Sequence, residues 1–178
     1  LNALDIIILI LVLLPAFFGL KKGLIKSILS YVSIIAGIIL ALKFNSGFVL
    51  VLRPIIKDPK LVQVVIFVGI ILSIYLIAIL IGSKISKMNV LSETFDKTGG
   101  FIFGGLKGLL FTSILLIIFD SFSFIPNNQK SSSHTFSYTV KAAPATYNII
   151  KDILPFSKKD FYDIINYGDS DSVKVKTQ

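Results

Sequence analysis

Apolar residues gather into four long runs, at residues 4–20, 24–44, 61–82 and 101–119, separated by short polar connections. A bilayer core of about 30 Å takes roughly 20 helical residues to cross, so each run predicts a transmembrane helix. The third carries no charge between Lys60 and Lys84 and shows no polar stripe. A helix of a water-soluble bundle would show such a stripe at a period of 3.6 residues. Edge charges such as Asp5, Lys26 and Lys43 do not change the reading. Each mid-span Leu, Ile, Val or Phe contributes about −0.3 to −0.6 kcal/mol to insertion, which together outweighs one charge at the rim.

The connections follow from the gaps. Lys21-Lys22-Gly23 is too short for anything but a tight turn, so the first two spans form a hairpin. The second connection covers residues 45–60; its apolar stretch at 48–52 is too short to cross, Pro54 and Pro59 interrupt it, and an interfacial position is expected. The third covers 83–100, where Ser92 before Glu93, Thr94 and Phe95 predicts a short helix leading into the fourth span.

The pattern changes after Pro126. Residues 127–133 are polar and predict a loop. Phe136, Val140, Ala143, Tyr147, Ile150 and Leu154 then recur at spacings of four and three, one face of a helix. Pro144 either kinks that helix or stands in its first turn, and Pro155 ends it. Ser157 with Asp160 gives a weak capping box, Phe161, Ile164 and Ile165 make a short apolar stripe, and Gly168 supplies a stop. The expected architecture is all-α: a four-helix transmembrane bundle over residues 1–125, C-terminal amphipathic helices over 126–168, and a disordered C-terminus at 169–178. Such a tail covers the bundle or lies on the headgroups, or else it binds a partner.

Composition agrees with the pattern. The 178 residues are 54% hydrophobic and 16% charged, against about a quarter charged in soluble domains. Without cysteine there is no disulfide framework and no thiolate metal site. His134 stands alone in a polar stretch, and no metal and no cofactor are expected. The net charge of +8 suits anionic lipid. Its lysines are scattered without a recurring basic face, so nucleic acid is not an expected partner. The partners implied are the lipid bilayer and a second copy or another membrane protein. The chain opens on Leu1 rather than methionine, the mark of a trimmed or atypical start. The first run lacks the basic leading region and cleavage site of a signal peptide. Connections one and three and their adjoining span ends hold Lys21, Lys22, Lys26, Lys84, Lys87, Lys97 and Lys107; the other side holds Lys43, Arg53, Lys57, Lys60 and Lys130. The positive-inside rule then places both termini outside the cytosol.

Candidate chemistry is sparse. There is no phosphate-binding loop of the form GxxxxGK[ST] and no nucleophile elbow, and an enzyme is not expected. Gly100, Gly104 and Gly108 stand four apart, a ladder over which helices in lipid approach closely. Similar small-residue steps recur at Gly19 and Gly23, at Ser33, Gly37 and Ala41, at Gly69 and Ser73, and at Ala78 and Gly82. They serve packing within the chain or between copies. Lys107 lies about 9 Å past Phe101 at 1.5 Å per residue and borders the glycine face. Helical side chains lean toward the N-terminus, so Lys107 either snorkels to the interface or faces a polar cavity or an anionic group. Asp5 at the start of the first span suits the helix dipole, Asp96 opens the fourth, and Pro15 interrupts the first.

Two stretches carry a family resemblance. Phe18-Gly19-Leu20-Lys21-Lys22-Gly23-Leu24-Ile25-Lys26, with Asp5 before it, resembles the G-x-[RK]-[RK]-G-hydrophobic turn of the colicin V production protein family (CvpA). Asp96-Lys97-Thr98-Gly99-Gly100-Phe101-Ile102-Phe103-Gly104-Gly105-Leu106-Lys107-Gly108 resembles that family's D-[RK]-x-x-G-x-x-x-G-x-x-[RK]-G stretch. Ser137 and Leu154-Pro155 match its tail more weakly, and the Lys107 position is often arginine in the family. The resemblance covers residues 2–156. It implies a small bacterial inner-membrane protein tied to toxin production or export and to envelope function, and carries no activity, substrate or cofactor with it. The matching positions are Asp5, Gly19, Gly23, Asp96, Gly100, Gly104, Lys107 and Gly108, with structural roles implied. The expected function is a non-enzymatic membrane protein acting through helix packing with itself or partners; the alternative is a small transporter or channel with Lys107 and Asp5 in a polar path.

Overall fold

The computed structural model describes residues 2–52, 54–85 and 93–153. Among them the structure is all-α, in the order α1 (Ala3–Lys22), α2 (Leu24–Leu52), α3 (Pro59–Ile85), α4 (Glu93–Ser121), α5 (Asn127–Ser132), α6 (Phe136–Thr139) and α7 (Ala142–Ile153). The first four are long and apolar enough to cross a membrane. Their outward faces are apolar: Ile6, Leu9, Ile10 and Phe17 on α1 and Leu72, Leu76 and Leu80 on α3 are exposed. In water such surface would be unstable against association; in hydrocarbon it is the solvated face.

Several boundaries depart from the sequence-based expectations. α2 runs without interruption to Leu52, so residues 45–52 continue the helix beyond the span, where a connection was expected. α4 begins at Glu93 and is continuous with the fourth apolar run, absorbing the short lead-in helix expected there. Residues 127–132, expected to be loop, form the one-and-a-half-turn α5. The amphipathic periodicity from Phe136 is divided between α6 and α7, and Pro144 occupies the first turn of α7, where its missing N–H costs nothing. The expected features at Ser157, Gly168 and 169–178 lie outside the described residues, as does Ser92.

The chain divides into two compact units. In one, residues 35–73 and 144–178, the second half of α2 runs antiparallel to the first half of α3. Gly37 lies against Ile71, where an added Cβ would stand 3.1 Å from the Ile71 Cα. Ile38, Ala41, Val62 and Ile66 are buried. Asp58 caps α3: its Oδ1 accepts from the Lys60 N–H at 2.8 Å, and Pro59 starts the helix. Gly69 meets nothing within 4 Å, and the Ser73 hydroxyl beside it donates to the Gly69 carbonyl at 2.7 Å. That small-residue pair is therefore not a close-packing step.

The other unit, residues 1–34 and 74–143, holds α1, the start of α2, the end of α3, α4, α5 and α6. α1 and α4 pack antiparallel along their length, Gly19 against Gly100 at one end and Leu4 and Ile8 clustered with Leu116 at the other. Ile125 and Phe136 close that cluster from the tail side.

Candidate functional site

The α1–α4 seam carries most of the singled-out residues, and it is built in three stretches. At the first, Gly23 is the single residue between α1 and α2. Its φ of 80° is one that glycine adopts without steric penalty. A Cβ there would strike the Asp96 carboxylate. Asp96 comes this close because its Oδ1 accepts the Leu24 N–H at 2.8 Å. That N–H is among those left unpaired at the start of a helix, and a carboxylate there also answers the positive end of the dipole. Asp96 thus holds the α1–α2 turn onto the first turns of α4.

The second stretch is the glycine seam. A Cβ on either Gly19 or Gly100 would collide with the other's carbonyl. One on Gly104 would lie 2.6 Å from the Pro15 carbonyl oxygen, and one on Gly108 2.6 Å from that of Val12. The atoms met are mostly rigid backbone, so the side chain cannot be accommodated by a rotamer change. Helices in lipid gain little from apolar burial against one another, and close backbone contact supplies the attraction instead. α1 continues as helix through Pro15, whose ring lies against Gly108. Outside the seam, Gly82 on α3 lies against the Leu29 side chain of α2.

The third stretch ties the tail to the far end of the seam. Asp5 is 1% exposed. Its Oδ1 accepts from the Ser133 hydroxyl at 2.5 Å, the Thr135 hydroxyl at 2.6 Å and the Thr135 N–H at 3.0 Å. Its Oδ2 accepts from the Asn2 N–H at 2.9 Å. Asn2 in turn donates to the Gln129 carbonyl and the Ser132 hydroxyl. Eight residues before the end of α4, about 12 Å at 1.5 Å per residue, Ser113 is fully buried. Its hydroxyl donates to the Val140 carbonyl at 2.9 Å and accepts the Ala143 N–H at 3.0 Å. The tail therefore descends along α4 well below the helix end, rather than lying across it. Near that end Lys130 pairs with Asp120.

Lys107 behaves differently from the other singled-out charges. It is 7% exposed, so it does not snorkel to an exposed position. Its ammonium stands 5.8 Å from the centroid of the Tyr75 ring on α3, a cation–π contact. One turn earlier on α4, Phe103 meets Tyr31 of α2 edge-on, with centroids 6.0 Å apart.

Asp5 and Asp96 are thus each joined to distant backbone or hydroxyls, and Gly19, Gly23, Gly100, Gly104 and Gly108 lie on the same seam; Gly37 lies apart in the other unit. Sequence reasoning missed Ser113, Ser133 and Thr135. Each partner is far away in the chain, and no local pattern marks them. His134 is exposed, and no metal-binding cluster of His, Cys, Asp or Glu occurs among the described residues.

A family model described as "Colicin V production protein" matches residues 4–144. That interval takes in the seam from Asp5 to the Ala143 N–H that Ser113 accepts. No curated protein and no solved structure matches the chain.

Proposed function

We propose a role for this chain, which belongs to the colicin V production protein family, as a non-enzymatic inner-membrane protein. In this reading it supports toxin production or export, or envelope function, through helix packing with itself or with partner membrane proteins. The observation that carries it is how the polar and glycine positions are used. Asp5 accepts four hydrogen bonds from its own chain, Asp96 caps α2, and the glycines bring backbones together. What remains outward is apolar helix surface suited to lipid or to another helix. Both termini lie on the non-cytosolic face in this proposal, following the lysine distribution.

Crosslinking in native membranes, with the neighbours identified by mass spectrometry, tests the partner reading. A defined neighbour or a self-crosslink is expected, and it should be lost with Gly104→Leu. A chain that crosslinks to nothing while sustaining toxin export would refute it. A reporter fused after Gln178 tests the orientation, and cytosolic fluorescence would reverse it.

The transporter or channel alternative placed Asp5 and Lys107 in one polar path. Asp5 is an unsuitable lining residue because its oxygens are already taken up by Asn2, Ser133 and Thr135. Lys107, buried beside Tyr75, is the residue that favours it. Complementation with Lys107→Leu decides the matter: full function removes the path's remaining charge and with it the alternative.

A further inference from the structure

Among the described residues two charged side chains are buried, Asp5 and Lys107, and they are treated in opposite ways. Asp5 is surrounded by donors of its own chain. Lys107 has no carboxylate within ion-pair distance and no hydrogen-bond acceptor among the described residues; the face of Tyr75 is what the fold offers it. A lysine so largely buried with no countercharge beside it is an unfinished arrangement, because charge in a low-dielectric interior is retained only when paired.

A second unfinished group lies in the same unit. Ser27 is 1% exposed and its hydroxyl has no hydrogen-bond partner among the described residues. It stands one turn before Tyr31, whose ring meets Phe103, and Phe103 stands one turn before Lys107. Side chains on α4 lean toward its N-terminus, which is the direction of Phe103 and of the α2 segment carrying Ser27. The register thus sets the unused hydroxyl and the cation on opposite sides of the Tyr31–Phe103 contact, one turn from it each, with Tyr75 of α3 beside the cation.

We propose that Lys107 is the centre of an intramembrane site for the oxyanion headgroup, phosphate or carboxylate, of an amphiphile. The anion supplies the missing countercharge where the low dielectric makes the attraction strong. An amphiphile is the fitting carrier because the surface beside the site is apolar. Leu106, next to Lys107, and Leu76 and Leu80, following Tyr75, are exposed on the outer faces of α4 and α3. A hydrocarbon tail can lie along them while the headgroup reaches inward, whereas a free ion would have to shed its hydration to arrive.

The test uses the full chain in phosphatidylcholine nanodiscs, read by native mass spectrometry with phosphatidylglycerol, dodecanoate and inorganic phosphate as separate probes. Saturable retention of one phosphatidylglycerol or one dodecanoate per chain is expected. Retention should weaken at least tenfold in Lys107→Met and persist in Lys107→Arg. Preference for one of the two amphiphiles identifies the headgroup as phosphate or carboxylate, and either result supports the site. Equal retention by wild type and Lys107→Met overturns the proposal, and so does inorganic phosphate displacing the amphiphile at equal concentration. Should Lys107→Met fail to fold, the wild-type chain is labelled with a membrane-permeant acylating reagent. Saturating amphiphile should slow acylation of Lys107 but not of the exposed Lys97; an unchanged rate at Lys107 overturns the proposal equally.

Discussion

Replacing Gly104 by alanine adds one methyl group to the middle of the α1–α4 seam. In the native geometry that Cβ would lie 2.6 Å from the Pro15 carbonyl oxygen, 3.1 Å from the Ala16 Cα and 3.2 Å from the Gly19 Cα. Restoring ordinary van der Waals separation requires the two backbones to part by about 0.8 Å, the gap between 2.6 and 3.4 Å. The strain does not stay local. A rigid withdrawal of α4 by that distance loosens the contacts at Gly100 and Gly108 and stretches the 2.8 Å bond from the Leu24 N–H to Asp96 to about 3.6 Å, beyond hydrogen-bond reach. Overpacking of this kind costs about 1–3 kcal/mol, and a lost hydrogen bond to a charged group about 1.5–3 kcal/mol. Allowing for partial relaxation, a loss of about 3 kcal/mol is expected, a shift of roughly 150-fold in the unfolding equilibrium at 1.4 kcal/mol per tenfold. The assay is equilibrium unfolding by dodecyl sulfate in mixed micelles, followed by helicity. Gly69→Ala is the internal control. It makes the same chemical change in a helix where nothing lies within 4 Å, so it should be neutral or slightly stabilising. If Gly104→Ala shifts the midpoint no more than Gly69→Ala does, close packing along the seam is refuted.

Gly23→Ala places a Cβ on a positive-φ residue and against the Asp96 carboxylate, and should destabilise the chain more than Gly99→Ala, where the atoms met belong to the flexible Leu24 side chain; the same unfolding assay compares them. Asp5→Leu removes the acceptor for Ser133 and Thr135 and should free the 127–143 segment, seen as faster proteolysis there while α4 stays protected; unchanged proteolysis would show that the tail is held by apolar contact alone. Ser113→Ala leaves the Val140 carbonyl and Ala143 N–H without their partner, at about 1–3 kcal/mol, and amide exchange at Ala143 should accelerate in proportion. By contrast, Asp120→Asn disrupts a partly exposed ion pair with Lys130 and should alter stability by less than about 1 kcal/mol.

The spans were legible because a bilayer imposes a local rule: about 20 apolar residues in sequence suffice to cross it, and no distant contact can change that count. The glycine ladder was legible for a related reason, since small residues at a spacing of four lie on one helix face whatever that face meets. Its partner was not. That Gly100 meets Gly19, while Gly69, with the same local pattern, meets nothing, depends on which helix arrives opposite. Helix ends were read less well. Asn45 to Leu52 carry no local stop strong enough to end α2, and the loop expected at 127–132 winds into α5.

Sequence by itself determined the class, the four spans, the hairpin turn that needs Gly23, and the family-like motifs around Asp5, Asp96 and Lys107. The tertiary structure alone decided what those charges do. Asp5 takes donors 128 and 130 residues away, and Asp96 caps a helix 72 residues earlier. Lys107 ends buried against Tyr75, although a snorkelling path lay open to it in the isolated helix. The physical reason is that a charge is settled by the groups within a few ångströms of it, and in a chain folded back on itself most of those groups come from elsewhere in the sequence.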